Sequence, residues 1–224
     1  EAIDLAVLHE QTMGKAKTWY YSGMVHQAIY DSKEEKYRAL HATPLQVAYE
    51  SYKKAIELDV DKQYSDDMYR RLLVAGNQMI NKGVTDFNAK DFSSALSSFE
   101  TAISISRLPL INKLDTLAMY NAALASERIG NYDKAIGYYG DLIKVKFGGA
   151  KTYFYLSKDY KAKGDTAKAL EIVQQGRVAY PNDNTLVIEE INFYLQSGKN
   201  KEAVERLKTA IGLAPENHNL YYAL

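Results

Sequence analysis

The sequence predicts an all-α protein made of consecutive antiparallel helix pairs, and three observations lead to this prediction. Gly130, Gly164 and Gly198 recur at a constant step of 34 residues. Each is followed by an Ala and a large residue at the same offsets, and each is preceded by another stretch with helical periodicity. A constant step of this length is typical of chains built from structural repeats.

The helices can be placed in chain order from this pattern. The first helix of each pair is predicted at 17–30, 79–88, 117–129, 151–163 and 185–196. The second helices follow around Ala48, Ala95, Ala135, Ala169 and Ala203. The predicted pairs span about 16–58, 76–107, 116–149, 150–183 and 184–217, with a partial helix at 1–10 and a partial repeat at 218–224, in one domain over 1–224.

The N-terminal part of the pattern is irregular. The first pair carries about 13 extra residues between its helices. In this insert, Ser32 followed by Glu35 predicts a capping box and a short helix. Residues 65–84 predict one overlong helix, and the step between the second and third units is 40 residues instead of 34.

Small residues on one helix indicate a close approach by its neighbours. Ala169 and Gly176 are seven residues apart and lie nearly on one face of their helix. A glycine costs about 1 kcal/mol in a helix interior, so Gly176 needs a packing reason. We expect Tyr153, Leu156 and Val173 to fill the space around these two positions.

The residues at the repeated positions resemble the tetratricopeptide repeat family in its bacterial form. That family has Trp-x2-Leu-Gly-x2-Tyr on the first helix, then Ala, an aromatic residue and Ala on the second, with Pro at the end. The matching residues here are Trp19, Gly23, Gly83, Tyr153, Leu156, Ser157, Tyr160 and Pro181. The resemblance covers nearly the whole chain and implies an α-α superhelix, a right-handed array of helix pairs.

The last full repeat departs from the family pattern. Ile191 occupies a position where a small residue is expected, and Glu190 replaces an apolar residue. We therefore expect the helices of this repeat to be shifted relative to those of the other repeats.

The resemblance also implies a concave groove lined by the first helices. One row of the groove would hold Tyr20, Ile80, Tyr120, Phe154 and Ile188. A second row would hold Met24, Val84, Leu124, Lys158 and Asn192. Flanking positions would be Lys17, Gln27, Phe87, Asn88, Arg128, Lys151 and Lys161. This floor is apolar and aromatic towards the N-terminal half and basic around its three C-terminal lysines.

Two functions follow from such a groove, and the sequence leaves both open. The first is a non-enzymatic scaffold that captures a protein or peptide partner, since exposed apolar surface and aromatic anchors are typical of interaction sites. The second is a structural or oligomerisation module of a larger cell-envelope protein, with the groove covered by the overlong helix or by a missing repeat. A homo-oligomer is possible, and a stable oligomer that buries the groove would favour the second function.

One known activity of the family is disfavoured. Some members bind acidic chaperone tails through a clamp of Lys and Asn on the first helices. The first groove row holds Tyr, Ile or Phe where that clamp has its Lys.

No pattern in the sequence predicts catalysis, a metal or a cofactor. His9, His26, His41 and His218 form no metal-binding pair, and His26 is predicted to be a core residue. The sequence contains no nucleophile elbow, phosphate loop or dinucleotide fingerprint. There is no Cys, which excludes thiol catalysis and Cys-based zinc sites.

Charge and hydropathy argue against two further classes of protein, general nucleic-acid binders and proteins that span a membrane. The net charge is +0, whereas a general nucleic-acid binder needs an excess of Lys and Arg. The longest uncharged stretch, Thr18–Tyr30, has 13 residues, and a membrane span needs about 20. The chain begins with Glu and not Met, so we expect it to have been trimmed, and we favour the periplasm or cell envelope over the cytoplasm.

Overall fold

The computed structural model describes residues 2–213, and their regular secondary structure is entirely helical. The twelve helices are α1 Ala2–Ala6, α2 Ala16–Asp31, α3 Glu35–Arg38, α4 Pro44–Leu58, α5 Ser65–Asn88, α6 Phe92–Arg107, α7 Thr116–Arg128, α8 Tyr132–Lys144, α9 Ala150–Ala162, α10 Thr166–Ala179, α11 Asn184–Gln196 and α12 Asn200–Leu213. The predicted all-α class is confirmed. The predicted partial repeat at 218–224 and His218 lie outside the described residues.

The chain divides into two compact units. The N-terminal unit is Glu1–Asn121 and the C-terminal unit is Ala122–Leu224, so the division falls within α7. In the N-terminal unit, α2 packs against α4, and α5 packs against α4 and α6. In the C-terminal unit, α9 packs against α8, α10 and α11, and α11 also packs against α12.

The recurring glycines end one helix and allow the next to begin. Gly130, Gly164 and Gly198 adopt φ values of 74°, 84° and 69°, the left-handed region that glycine enters without a steric penalty. Asn131 and Asp165 follow as N-caps and accept hydrogen bonds from the backbone N–H groups three residues further on. The 34-residue step therefore reflects a repeated turn of fixed chemistry.

Glycines within the helices allow the members of a pair to touch. A Cβ atom added at Gly176 would lie 2.9 Å from Tyr153 Cβ and 2.9 Å from Leu186 Cδ1. One added at Gly83 would lie 2.6 Å from Phe99 Cε1. The predicted close approach at Gly176 is confirmed, and Leu186 is an additional contact that the sequence analysis did not name.

The irregular N-terminal segments fold as helices. The insert contains the predicted short helix, α3, but the capping box is wrong in detail. Glu34 is the N-cap, and the Ser32 hydroxyl accepts a hydrogen bond from the Glu34 N–H at 3.2 Å. The predicted overlong helix is α5, a single helix of 24 residues.

The unusual residues of the last full repeat are both buried. Ile191 packs with Val187, Ala203 and Leu207. Glu190 is 5% exposed, and its Oε2 accepts a hydrogen bond from Arg177 Nε at 3.3 Å. An ion pair therefore compensates for the charged residue at a core position.

Candidate functional site

In the N-terminal unit, two of the predicted groove residues are used inside the protein. Tyr20 is 9% exposed, and its hydroxyl donates a hydrogen bond to Asp67 Oδ2 at 2.6 Å. Its ring stacks on Tyr64, with 4.6 Å between the ring centroids. Asp67 belongs to the first turn of α5, so the overlong helix covers this part of α2.

Gln27, two turns further along α2 than Tyr20, is also buried. Its Nε2 donates hydrogen bonds to Gln78 Oε1 at 3.1 Å and to the Arg71 carbonyl at 3.4 Å. Its Oε1 accepts a hydrogen bond from the Tyr52 hydroxyl at 2.9 Å. Gln27 therefore joins α2 to both α4 and α5, and both of its side-chain N–H groups are used inside the unit.

The charges around Tyr20 keep this network in one protonation state. The hydrogen bond from Tyr20 lowers the pKa of Asp67, and Arg71 lowers it further. Burial, followed by the hydrogen bond to Asp67, raises the pKa of Tyr20. The carboxylate stays ionised and the phenol stays neutral over the whole physiological range.

The other predicted groove residues of this unit are accessible to different degrees. Lys17 is exposed, with its ammonium 5.9 Å from the centroid of the Tyr21 ring. Phe87 packs edge-on against Phe92, with 5.0 Å between centroids. Met24, Ile80 and Tyr120 are half-buried, whereas Val84 and Asn88 are exposed.

In the C-terminal unit, the predicted groove residues of α9 form an accessible surface. Lys151 and Lys158 are exposed. Phe154, which lies between them in the sequence, is half-buried. The Lys158 ammonium lies 5.6 Å from the centroid of the Phe154 ring, within the range of a cation–π interaction. Positive charge and aromatic surface are therefore presented together.

The neighbouring helix α11 adds to this surface. Ile188 and Asn192 are half-buried. Lys161 of α9 reaches across to α11, where its ammonium lies 5.0 Å from the Phe193 ring centroid and 3.9 Å from Glu189 Oε1. On α7, Leu124 is half-buried and Arg128 is exposed.

A pair of carboxyl groups lies in the interior of the same unit, and the sequence analysis missed it. Asp159 is 2% exposed, and its Oδ2 has no hydrogen-bond partner. Burial raises the pKa of Asp159 to about 7, and the negative charge of Glu127 adds to the rise. Burial also raises the pKa of Glu127, whose Oε1 accepts a hydrogen bond from the Tyr139 hydroxyl at 2.7 Å.

The helical period contains a signal for Asp159. Thr152, Leu156 and Asp159 are spaced by four and three residues and share the buried face of α9. A sequence reading that checked each core face for ionisable residues would have found it.

The described histidines and the hydropathy of the described helices also bear on the predictions made from the sequence. His26 is 2% exposed, as predicted for a core residue, and its Nδ1 lies 2.8 Å from the Ser22 carbonyl. Among the described residues, no group of three His, Cys, Asp or Glu side chains could hold a metal ion. None of the described helices combines the length and apolarity needed to cross a membrane.

Comparison with protein families identifies part of the chain. Residues 117–145 match the family model described as tetratricopeptide repeat. A comparison with curated protein sequences finds no match.

Several solved structures resemble the fold. MamA from Desulfovibrio magneticus RS-1, from residue 41 to its end, is 14% identical with a TM-score of 0.53, and the match covers 76% of this chain and 97% of that chain. Another MamA crystal structure is 19% identical with a TM-score of 0.52, covering 84% and 98%. YrrB, described as a TPR protein with an unusual peptide-binding site, is 16% identical with a TM-score of 0.49, covering 100% and 97%.

The matched segment agrees with the geometry described above. It contains α7, the left-handed turn at Gly130, the N-cap Asn131 and α8. The same turn recurs at Gly164 and Gly198, each between two helices. The chain therefore contains a segment, 117–145, that matches the tetratricopeptide repeat, and its fold is similar to that of solved structures built from such repeats.

Proposed function

We propose that this chain is a non-enzymatic scaffold that binds a protein or peptide partner on the first-helix surface of its C-terminal unit. The observation that carries the proposal is the accessible row Lys151, Phe154 and Lys158 on α9. The matched family is a structural repeat and not a family of enzymes. The surface offers no nucleophile or general base with a positioned partner, as catalysis would require.

The chemistry of this row favours an acidic partner with an apolar anchor. Phe154 supplies contact area of the kind that dominates interface energies. Lys158 is held above that ring, and Lys151 is exposed about two turns earlier on the same helix. A carboxylate of the partner would meet these ammonium groups while an adjacent apolar side chain packs on Phe154, in a helical or an extended segment.

The N-terminal unit supports the same conclusion by contrast. There Tyr20 and Gln27 of α2, which correspond to Phe154 and Lys161 of α9, are hydrogen-bonded to α5. Those positions stabilise the unit and are not free to bind a partner, so we place the binding surface on α9 and α11.

A peptide library displayed on phage and selected against the immobilised chain tests the proposal. We expect enrichment of peptides in which Asp or Glu adjoins an aromatic or aliphatic residue. Phe154→Ala should weaken the best peptide at least tenfold, the loss expected for an anchor residue. Lys158→Glu should weaken it similarly, through charge repulsion.

Lys144→Glu is the matched control, because it makes the same charge change at an exposed position on α8. Equal affinities of the Lys158→Glu and Lys144→Glu proteins would contradict the proposal. Light scattering addresses the structural alternative, in which a stable oligomer buries Phe154 and the selection yields no peptide.

A further inference from the structure

The N-terminal segment, residues 2–13, is held against α2 by few contacts. Its helix α1 packs on α2. Ile3, Ala6 and Val7 are half-buried, and their spacing of three and one residues places them on the same side of this helical turn. Because a helix of five residues is not stable by itself in water, α1 depends on its contact with α2.

The end of the segment is tied to α2 by hydrogen bonds. Trp19 of α2 donates a hydrogen bond from its Nε1 to the Met13 carbonyl at 2.6 Å. Within the segment, the Thr12 hydroxyl donates one to the Ala6 carbonyl at 2.6 Å. Trp19 is the single tryptophan of the chain, so its fluorescence reports whether the segment is in place.

His26 of α2 contacts the segment through one ring nitrogen. Its Nδ1 lies 2.8 Å from the Ser22 carbonyl oxygen, which can only accept a hydrogen bond, so Nδ1 carries a proton. Its Nε2 lies 3.4 Å from Asp4 Oδ1 of α1. In a neutral imidazole this Nε2 would be an acceptor facing a carboxylate that also only accepts. The imidazolium, with a proton on each nitrogen, makes both contacts favourable.

Two further segments contribute groups around His26. The His41 ring lies edge-on to it, with 5.2 Å between the ring centroids, so a positive charge on His41 would oppose one on His26. The Nδ1 of His41 accepts a hydrogen bond from the Thr43 N–H at 3.1 Å, which protonation of that nitrogen would break. From α4, the neutral hydroxyl of Ser51 lies 3.0 Å from that of Ser22. These contacts favour the charge on His26 over a charge on His41.

We propose that protonation of His26 fastens the N-terminal segment to α2, so that pH controls whether this segment is docked. Histidine is the residue type that changes its charge between about pH 5 and pH 8. In acid, the imidazolium pairs with Asp4 and α1 stays in place. As the pH rises, His26 loses its proton, two acceptors face each other, and the short helix loses its support. The switch thus determines whether this side of α2 is covered.

Hydrogen exchange of the full chain at pH 5 and pH 8, corrected for the intrinsic exchange rates and read by mass spectrometry, tests this inference. The protection factor of α1 should be about threefold higher at pH 5, the scale of an ion pair with one exposed partner. Acrylamide should quench the fluorescence of Trp19 more strongly at pH 8 than at pH 5. Equal protection of α1 at both pH values would overturn the inference.

Asp4→Asn should abolish the difference between the two pH values, because a neutral amide gains no ion pair from a charged imidazole. Glu10→Gln is the matched control, since it removes the same charge from an exposed position of the same segment, and it should keep the difference. His41→Gln should also keep it. Circular dichroism checks that the variants are folded. The same difference in the Asp4→Asn and Glu10→Gln proteins would contradict the proposal, as would its loss in His41→Gln alone.

Discussion

Asp159 places a carboxyl group inside the C-terminal unit at a considerable free-energy cost. Its Oδ2 has no hydrogen-bond partner, and Glu127 of α7 carries a second carboxyl close enough to raise its pKa. Two buried carboxyl groups of this kind cannot both be ionised without repulsion. Tyr139 stabilises Glu127 by donating a hydrogen bond to it, so Asp159 is the member of the pair that holds a proton.

This arrangement predicts that the stability of the C-terminal unit falls as the pH rises. The pKa of Asp159 is about 7 in the folded chain, whereas an unfolded Asp has about 3.9. Because the pKa of Asp159 is higher in the folded chain, its contribution to the free energy of unfolding is fully present below the unfolded pKa of about 3.9. That contribution is lost as the pH rises through the folded pKa of about 7. Lys158, Glu127 and the phenol of Tyr139 are the other groups that share this environment.

We expect Asp159→Asn to remove most of this pH dependence. At pH 8 the variant should be more stable than the wild type by up to about 4 kcal/mol, since the pKa is raised by about three units and one unit corresponds to about 1.4 kcal/mol. Denaturant unfolding at pH 5 and pH 8 measures the effect. Asp141→Asn, the same change at a half-exposed position of α8, is the control. An identical pH dependence in the wild type and in Asp159→Asn would show that the carboxyl is not protonated.

At the scale of the helices, glycine decides how closely two elements pack. Gly176 lies in α10 against Tyr153 of α9 and Leu186 of α11, with no room for a Cβ atom. Gly137 lies in α8 with no atom within 4 Å of the position that its Cβ would occupy. The two helices thus contain the same residue for different reasons, and only the first reason is steric.

Alanine substitutions at these two glycines should have opposite effects. Gly176→Ala should destabilise the chain by about 1–3 kcal/mol, because Tyr153 and Leu186 would have to move. Gly137→Ala should stabilise it by up to about 1 kcal/mol, because alanine is the better helix former. Thermal unfolding monitored by circular dichroism compares the two. Destabilisation of equal size in both variants would contradict the packing role of Gly176.

At the scale of the whole molecule, the two compact units use their first helices differently. The N-terminal unit contains the insert and the 24-residue helix α5, whose side chains bind those of α2. The C-terminal unit keeps the regular 34-residue step and leaves Lys151 and Lys158 accessible. The irregular part of the chain therefore serves stability, and we place binding to a macromolecular partner in the regular part.

Local packing predicts that a stability change in one repeat stays near that repeat. In repeat proteins each unit contacts its neighbours, so the energy of a substitution is not shared across the whole chain. At pH 8, Asp159→Asn should slow hydrogen exchange in α8, α9 and α10 relative to the wild type and leave α2 and α4 unchanged. Mass spectrometry of the exchanged peptides measures this, and uniform slowing over all helices would refute it.

The sequence by itself determined the helix pairs, the turns and the close contacts. Gly130, Gly164 and Gly198 set the turns, and Gly176 revealed a helix contact, because a backbone constraint of this kind depends on residue type and spacing alone. Only the tertiary structure decided which groove residues stay accessible. Tyr20 is bound by a residue 47 positions later. The helical period shows which face of a helix a side chain occupies, but not which distant element covers that face. Asp159 illustrates the same limit, since the sequence does not show that Glu127 of another helix lies close enough to raise its pKa.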